Sequence, residues 1–323
     1  MVVHWPVPGD NPLPELSITG DVRFLDKSTV DNATLNKLVD EFAPDIIYAA
    51  GWMDKDYLSI AHRYKKAGKI TVMGMDTQWK GLLRQRINCL LSWYFLKGTF
   101  SYAWVPGPLQ YEYAKRLGFD KKHILNYLCA PDTDLFIRAY EQFRLLKQTQ
   151  FPKAFLYVGR LVDHKFGPLL KAFTALNEQE RAGWVLIVAG KGEMENLPEM
   201  RSTSITYKGF LQQDKLAALI GEAGVFCLLS SEEPWGTVIQ EFAAGGMPVL
   251  ASQQCGASHV YAKEGLNGYL CDGNNPDEVK SVLLKMINLS AQELSEMGAQ
   301  GVALASQHNS GTWANELMSV LTR

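Results

Sequence analysis

Short apolar runs, rich in β-branched and aromatic residues, alternate along the chain with segments whose apolar positions recur at helical spacing. That alternation is the pattern of parallel sheets built from strand–helix–strand units. In the first half it predicts strands at Val2 to Trp5, Val22 to Leu25, Asp45 to Ala49, Ile70 to Met73, Tyr102 to Val105 and Ile124 to Tyr127. Helices fill the intervals at Asn32 to Glu41, Asp56 to Ala67, Trp79 to Leu96 and Leu109 to Leu117. The second half repeats the theme with strands at Ala154 to Val158, Val185 to Ala189, Ile205 to Lys208, Val225 to Leu228, Val249 to Ala251 and Gly268 to Leu270. Its helices are predicted near Pro168 to Leu176, Asp214 to Glu222, Val238 to Ala244 and Pro276 to Leu289. The polar, strandless stretch Ala139 to Gln150 separates the two series, which predicts one domain over 1–139 and a second over 151–305. Two doubly wound α/β domains facing across a cleft follow, with ligands at the carboxyl ends of the strands. The segment Ala291 to Arg323 reads as two helices interrupted near Asn309-Ser310-Gly311.

Composition narrows the class. A chain of 323 residues, 47% apolar and 20% charged, is globular and long enough for two domains of ordinary size. A net charge of −2 and a pI near 6.3 argue against a dedicated nucleic-acid binder, which would draw its affinity from clustered Lys and Arg. The five cysteines are scattered and show no Cys-x-x-Cys spacing, so neither a disulfide framework nor a zinc site is indicated, and a reducing cytoplasm is favoured. The start, Met1 to Pro6, has no basic or long apolar stretch, and no run reaches the roughly 18 apolar residues of a spanning helix. A soluble cytoplasmic protein, or one peripheral at the membrane face, is expected.

The chemistry gathers around two glutamates, Glu233 and Glu241, in the stretch from Ser230 to Val249. A strand runs into a small-residue turn at Gly236-Thr237, which opens a helix. Free N–H groups at a helix start suit phosphate, and carboxylates accept from sugar hydroxyls, so the stretch reads as a nucleotide-sugar site. Upstream, Phe155 to Lys165 is a buried strand ending at Gly159, followed by Arg160 and Lys165. An Arg there can fork onto a diphosphate and a Lys can add a mobile point charge. Taken alone, such cations more often belong to an ordinary surface. Val188-Ala189-Gly190-Lys191-Gly192 is a strand leading to a Gly-x-Gly turn, for which a plain tight turn is the commoner meaning.

The Ser230 to Val249 stretch resembles the donor signature of retaining glycosyltransferases of family 4, the glycosyl transferases group 1, which have the GT-B fold. The resemblance implies that Glu233 meets the donor sugar, that Gly236, Thr237 and Val238 present amides to sugar and diphosphate, and that Glu241 holds the ribose. Trp235 stands where that family has a smaller aromatic. Gly159-Arg160-Leu161 with Lys165 is similar to the family's cationic pattern, although Phe166 intervenes before Gly167. By the same resemblance Gly190 and Lys191 border the nucleotide, and Phe210 and Leu211 read the base; a core aromatic is an equal reading of Phe210. Cys255-Gly256-Ala257 and Gly265 to Leu270 are similar to the family's glycine turn and hairpin, with Ser258-His259 in place of the usual Pro-Glu. The last helix, 306–323, is implied to cross back onto the first domain.

The first half resembles the family less. Pro6 to Pro12 leads to the second strand through too few residues for a glycine-rich loop and a helix, so the first crossover reads as abbreviated. Met75-Asp76-Thr77-Gln78-Trp79 lacks the His-Asp of many relatives, which leaves Asp76 as the carboxylate near the reacting carbon or as a turn or N-cap residue. Asp132-Thr133-Asp134 invites comparison with a metal-binding Asp-x-Asp, but a capping role is favoured and no metal is indicated. The segment from Trp79 to Phe100 mixes Lys80, Arg84, Arg86 and Lys97 with aromatic and aliphatic residues. It reads either as an ordinary half-buried helix or as a surface for the inner membrane face.

These features predict a metal-independent hexosyltransferase without a cofactor. The resemblance implies as its substrates a nucleoside diphosphate sugar, with UDP favoured and GDP open, and a glycan or lipid-linked hydroxyl of bacterial surface polysaccharide synthesis. A nucleotide-sugar binder without turnover and a GT-B epimerase are the alternatives.

Overall fold

A computed structural model describes residues 1–6 and 22–322. The abbreviated crossover predicted from Pro6 to Pro12 falls almost wholly outside the described residues. Every strand pairing among them is parallel. Strands β1 (Val2–His4) and β2 (Phe24–Asp26) pair only with each other. Strands β3 (Ile46–Ala50), β4 (Ile70–Gly74), β5 (Tyr102–Trp104) and β6 (Ile124–Leu125) form a second sheet in that order. The third sheet contains β7 (Ala154–Val158), β8 (Val185–Ala189), β9 (Ile205–Gly209), β10 (Val225–Leu228), β11 (Val249–Ser252) and β12 (Gly268–Cys271). Its order is β12-β11-β10-β7-β8-β9.

Burial explains why these residues form strands. All five residues of β7 and all four of β10 are buried, as central strands covered by helices on both faces must be. At the sheet edge β9 buries only Ile205 fully, and its Thr206 and Lys208 face solvent. The predicted extension of β6 to Tyr127 fails because Tyr127 has φ 60°, a left-handed conformation that ends a strand.

The predicted domain boundary proves to be helical, and one predicted helix shortens. The strandless stretch Ala139 to Gln150 is the second half of a helix, Thr133–Thr149, capped by Asp132, whose carboxylate accepts from Leu135 N at 3.0 Å. Phe136 of this helix meets Phe242 edge-on at 5.3 Å, so the connection between β6 and β7 is packed onto the second half. The predicted Asp214 to Glu222 helix is an α-helix over Gln213–Ala218 followed by a 3-10 turn at Leu219–Gly221.

The tail makes two contacts of different kinds. Helix Ala291–Ala305 lies against helix Val238–Ala244, where the buried Gln240 donates to the carbonyls of Ala305 and His308 at 3.2 and 2.6 Å. Helix Ser310–Met318 then reaches the β3–β6 sheet: Trp313 lies 4.7 Å from Trp104 and donates to Leu128 O at 2.7 Å. Val320 is buried there with Val72, Tyr102 and Leu125.

Candidate active site

The order of the third sheet reverses between β7 and β10, and a parallel sheet opens a crevice at such a point, outside the carboxyl ends of its strands. The segments that leave those two ends carry Gly159, Arg160, Lys165, Glu233 and Gly236. A proline brings them together. Helix Asp163–Thr174 begins five residues earlier than Pro168, the predicted start, so Pro168 sits inside it. Proline has no N–H to return to the carbonyl four residues back. The orphaned His164 carbonyl instead accepts from Ser231 N at 2.8 Å and from Ser231 Oγ at 3.1 Å, and Ser230 Oγ donates to Lys165 O at 3.3 Å. The first turn of the helix is thereby fixed to the loop after β10. Lys165 Nζ reaches Glu233 Oε2 at 2.6 Å, with the two side chains 14% and 11% exposed. Phe166, the residue that breaks the family pattern, is buried 4.7 Å from Tyr157 and anchors the turn from below.

Arg160 stands on the same lip. Its guanidinium is exposed and pairs with no carboxylate among the described residues, while its carbonyl accepts from Tyr157 Oη at 2.8 Å. Burial pushes the Tyr157 hydroxyl upward, with Glu233 adding to the rise and Arg160 opposing it, so this donor stays protonated. The Gly190-Lys191-Gly192 turn has a structural purpose beyond tightness. Leu161 N donates to Lys191 O at 2.9 Å, and a Cβ on Gly190, at φ 143°, would overlap the Gly159 carbonyl. Lys191 is exposed. Phe210 is 40% exposed, so it is not a core aromatic, whereas Leu211 packs on the core.

Gly236 has φ 87°, and an added Cβ would come within 2.7 Å of Leu228. The N–H groups of Gly236, Thr237 and Val238 find no acceptor among the described residues and lie at the start of helix Val238–Ala244. Glu241 is 6% exposed, with Gln213 Nε2 donating to it at 3.3 Å. Burial raises its pKa from 4.5 to about 7; Gln213 opposes that rise and the Asp132 carboxylate adds to it. The folded-state value lies above the unfolded one, so the native state keeps a proton that the unfolded chain loses, and ligand-free stability falls as pH rises from about 4.5 to about 7. Glu241→Gln removes this titration. Urea unfolding should find the ligand-free variant on the order of 1–3 kcal/mol more stable than wild type at about pH 8, with the difference closing near pH 4.

The other half of the chain meets this loop from across the cleft. Gln78 Nε2 donates to the carbonyls of Glu233, Pro234 and Gln254 at 2.9, 2.9 and 3.1 Å. Gln110 Nε2 donates to Asp76 O at 3.1 Å and Pro234 O at 2.5 Å. Trp235 is buried against Gly107, where a Cβ would come within 2.6 Å of its ring, so the large aromatic uses the space that a glycine leaves. Lys80 pairs with Glu232. Behind Gly256, whose N–H donates to Glu233 O at 3.3 Å, the Cys255 turn supports the same segment. Asp76 is exposed in the loop after β4, caps no helix, and lines a cleft of about 740 Å³ together with Tyr48, Trp52, Arg84, Asn88 and Tyr113. That cleft is bounded by none of Arg160, Lys165, Glu233 or Glu241, so the cationic lip and this cleft are separate places. Asp132 is the cap described above, and among the described residues no group of three or more His, Cys, Asp or Glu is placed to hold a metal ion.

Comparison with known proteins meets the geometry here. The family profile described as glycosyl transferases group 1 matches residues 141–301, the span holding both lips of the crevice. The chain belongs to the group 1 glycosyltransferases. A glycosyltransferase of Methanocaldococcus jannaschii is 31% identical over 134 residues, covering 39% of this chain and 34% of that protein. The sulfoquinovosyl transferase of Arabidopsis thaliana is 27% identical over 136 residues, covering 42% and 26%. The chain thus spans about a third of the length of the curated relatives it matches. Among solved structures, Anabaena HepE in complex with UDP superposes with a TM-score of 0.70 at 18% identity, covering 90% of this chain and 81% of that one. Sucrose-phosphate synthase from Thermosynechococcus elongatus gives 0.71 at 16%, covering 90% and 76%. The architecture of this group 1 chain is GT-B.

Sequence reasoning found the residues on the lips but missed those that hold the lips in place. Gln78, Gln110 and Gln213 act through uncharged amides on partners 28 to 176 positions away, and no local pattern marks them. Gly107 had a usable signal, as a glycine just before a proline-started helix, Pro108–Arg116.

Proposed function

We propose that this group 1 chain transfers a hexosyl unit, with retention of configuration, from a nucleoside diphosphate sugar to a hydroxyl of a glycan or lipid-linked acceptor, in bacterial surface polysaccharide synthesis. The observation that carries the reading is the Lys165–Glu233 pair at the sheet's reversal point, beside the unpaired Arg160 and the free amides of Gly236 to Val238. In this reading the donor domain is 151–305, the acceptor domain is 1–139, and 306–323 returns to the acceptor side. Arg160, Lys165 and the amides stabilise charge growing on the leaving diphosphate, which is catalysis by preorganised electrostatics. Glu233 faces the sugar and orients Lys165. Glu241 accepts from the ribose hydroxyls, Gly159, Gly190 and Lys191 border the phosphates, and Phe210 and Leu211 meet the base. Asp76 faces the acceptor from the 740 Å³ cleft. UDP-hexose is the favoured donor, in keeping with HepE structures that hold UDP and UDP-glucose.

A thermal-shift screen of nucleoside diphosphates and their sugars tests this, since a ligand that binds only the folded state raises its melting temperature. Glu241→Ala should weaken binding of the free diphosphate by on the order of 1.5–3 kcal/mol, whereas Glu233→Ala should spare it and reduce only the increment due to the sugar. Equal losses for the free diphosphate would contradict the division of roles. Release of diphosphate from a bound donor separates an enzyme from a binder without turnover. The reaction is assigned no metal, so turnover should persist in a chelator; complete loss restored by a divalent ion would reject that assignment.

A further inference from the structure

The helix Leu83–Phe95 is turned inside out. Its buried residues are Gln85 and Ser92. Gln85 accepts from Lys80 N and donates to Gln78 O, and Ser92 Oγ donates to Cys89 O and Leu117 O, so the polar face is the one held by the protein. Leu83, Ile87, Leu90, Leu91 and Tyr94 fall on one opposite stripe at helical spacing, and all are exposed, Leu90 at 81% and Tyr94 at 84%. An ordinary half-buried helix has the reverse arrangement. A contiguous apolar face of this kind on a globular protein marks an interaction surface.

Charge decides what covers it. Arg84 and Arg86 border the stripe on either side, and between Asp76 and Glu112 the sequence has no acidic residue, while Lys80, Arg84, Arg86 and Lys97 lie within that interval. Beside Leu90 an open hollow of about 630 Å³ is walled by Arg86, Arg116 and Trp79 with no carboxylate in its lining. The Arg116 guanidinium is held 4.7 Å from the Trp79 ring centre. A second copy of the chain, docked by a two-fold through this face, would set arginines against arginines, with no carboxylate in the lining of the hollow and only Glu112, already paired with Lys115, one turn from Arg116. An anionic bilayer supplies both missing complements, hydrocarbon for the stripe and phosphate for the flanking cations.

We infer that helix Leu83–Phe95 seats the protein on an anionic lipid surface, with the stripe in the acyl boundary and Arg86 and Arg116 among the headgroup phosphates. Among the described residues no helix is long and apolar enough to cross a membrane, so the attachment is interfacial. Leu82, Arg84, Gln85 and Asn88, from the same segment, line the 740 Å³ cleft, which therefore opens beside the bilayer. That narrows the acceptor to a lipid-linked hydroxyl, a step that rests on the proposed transferase reading; the seating itself does not.

Flotation of the full chain with phosphatidylcholine vesicles, with and without about one third phosphatidylglycerol, tests the seating. Binding should require the anionic lipid and weaken with salt. Arg86→Gln combined with Arg116→Gln should lower the partition roughly thirtyfold, at about fivefold per cation removed. Leu90→Glu combined with Tyr94→Glu should lower it at least as far, and because both side chains face solvent the melting temperature should stay at the wild-type value. Failure of the wild type to float, or undiminished flotation of the Leu90→Glu/Tyr94→Glu variant, would overturn the inference. So would self-association of the wild type that this variant abolishes, because it would assign the face to a second copy. Nucleotide-induced thermal shifts, measured in parallel, keep a failed donor reading distinguishable from failed seating.

Discussion

Arg160→Ala lowers kcat by about a hundredfold or more, equivalent to about 2.7 kcal/mol or more of lost transition-state stabilisation, and changes donor affinity far less. Negative charge on the diphosphate grows as the glycosidic bond breaks, so a guanidinium aimed at it interacts more strongly with the transition state than with the intact donor. Arg160 suits that task because its side chain is exposed on the lip and pairs with no carboxylate among the described residues, while its backbone is held by Tyr157. No internal ion pair has to break before it can engage. Lys165 differs, since it must share its charge with Glu233 at 2.6 Å. Arg160→Lys should recover only part of the loss, because an ammonium lacks the fork that matches two phosphate oxygens. Steady-state kinetics on the identified donor decide it: a raised KM with intact kcat would make Arg160 a uniform binder and remove it from leaving-group stabilisation.

Gly190→Ala unfolds at a markedly lower urea midpoint, with a loss of about 3 kcal/mol or more. Two independent costs add. The backbone at φ 143° lies in a region that only glycine enters without strain, and the new methyl would overlap the Gly159 carbonyl oxygen. Since that carbonyl belongs to the residue before Arg160, any relief of the overlap moves the lip. Residual activity should therefore fall even under conditions where the variant remains folded. An unchanged midpoint would mean that the two loops do not approach as closely as described.

The legible parts of this chain were those where local sequence and tertiary context agree. Strands β7, β8 and β10 are buried on both faces, and their sequences are uninterrupted apolar runs that admit few other readings. The pair Glu233 and Glu241 was legible because its spacing is local to one turn and one short helix. Helix Thr133–Thr149 was not, because its buried positions include Thr133 and Lys147 and its apolar stripe is diluted by charge. Pro168 misled for a physical reason: proline favours the first turn of a helix, and only the distant Ser231, which takes over the orphaned carbonyl, makes an interior position tolerable. The contact between Lys165 and Glu233, 68 residues apart, follows from that substitution of partners and could not be read before the sheet order was known.

The grip of Gln78 and Gln110 on the loop from Glu233 to Trp235 falls entirely on carbonyl oxygens. Every amino acid carries that group, so the hold is indifferent to which side chains the loop displays. A change at the Glu233 side chain therefore leaves these amide–carbonyl bonds in place, whereas a change at either glutamine removes part of the hold whatever the loop displays, and Glu232 and Trp235 add side-chain contacts of their own to Lys80 and Gly107. The arrangement separates what the site selects from how the site is kept in place.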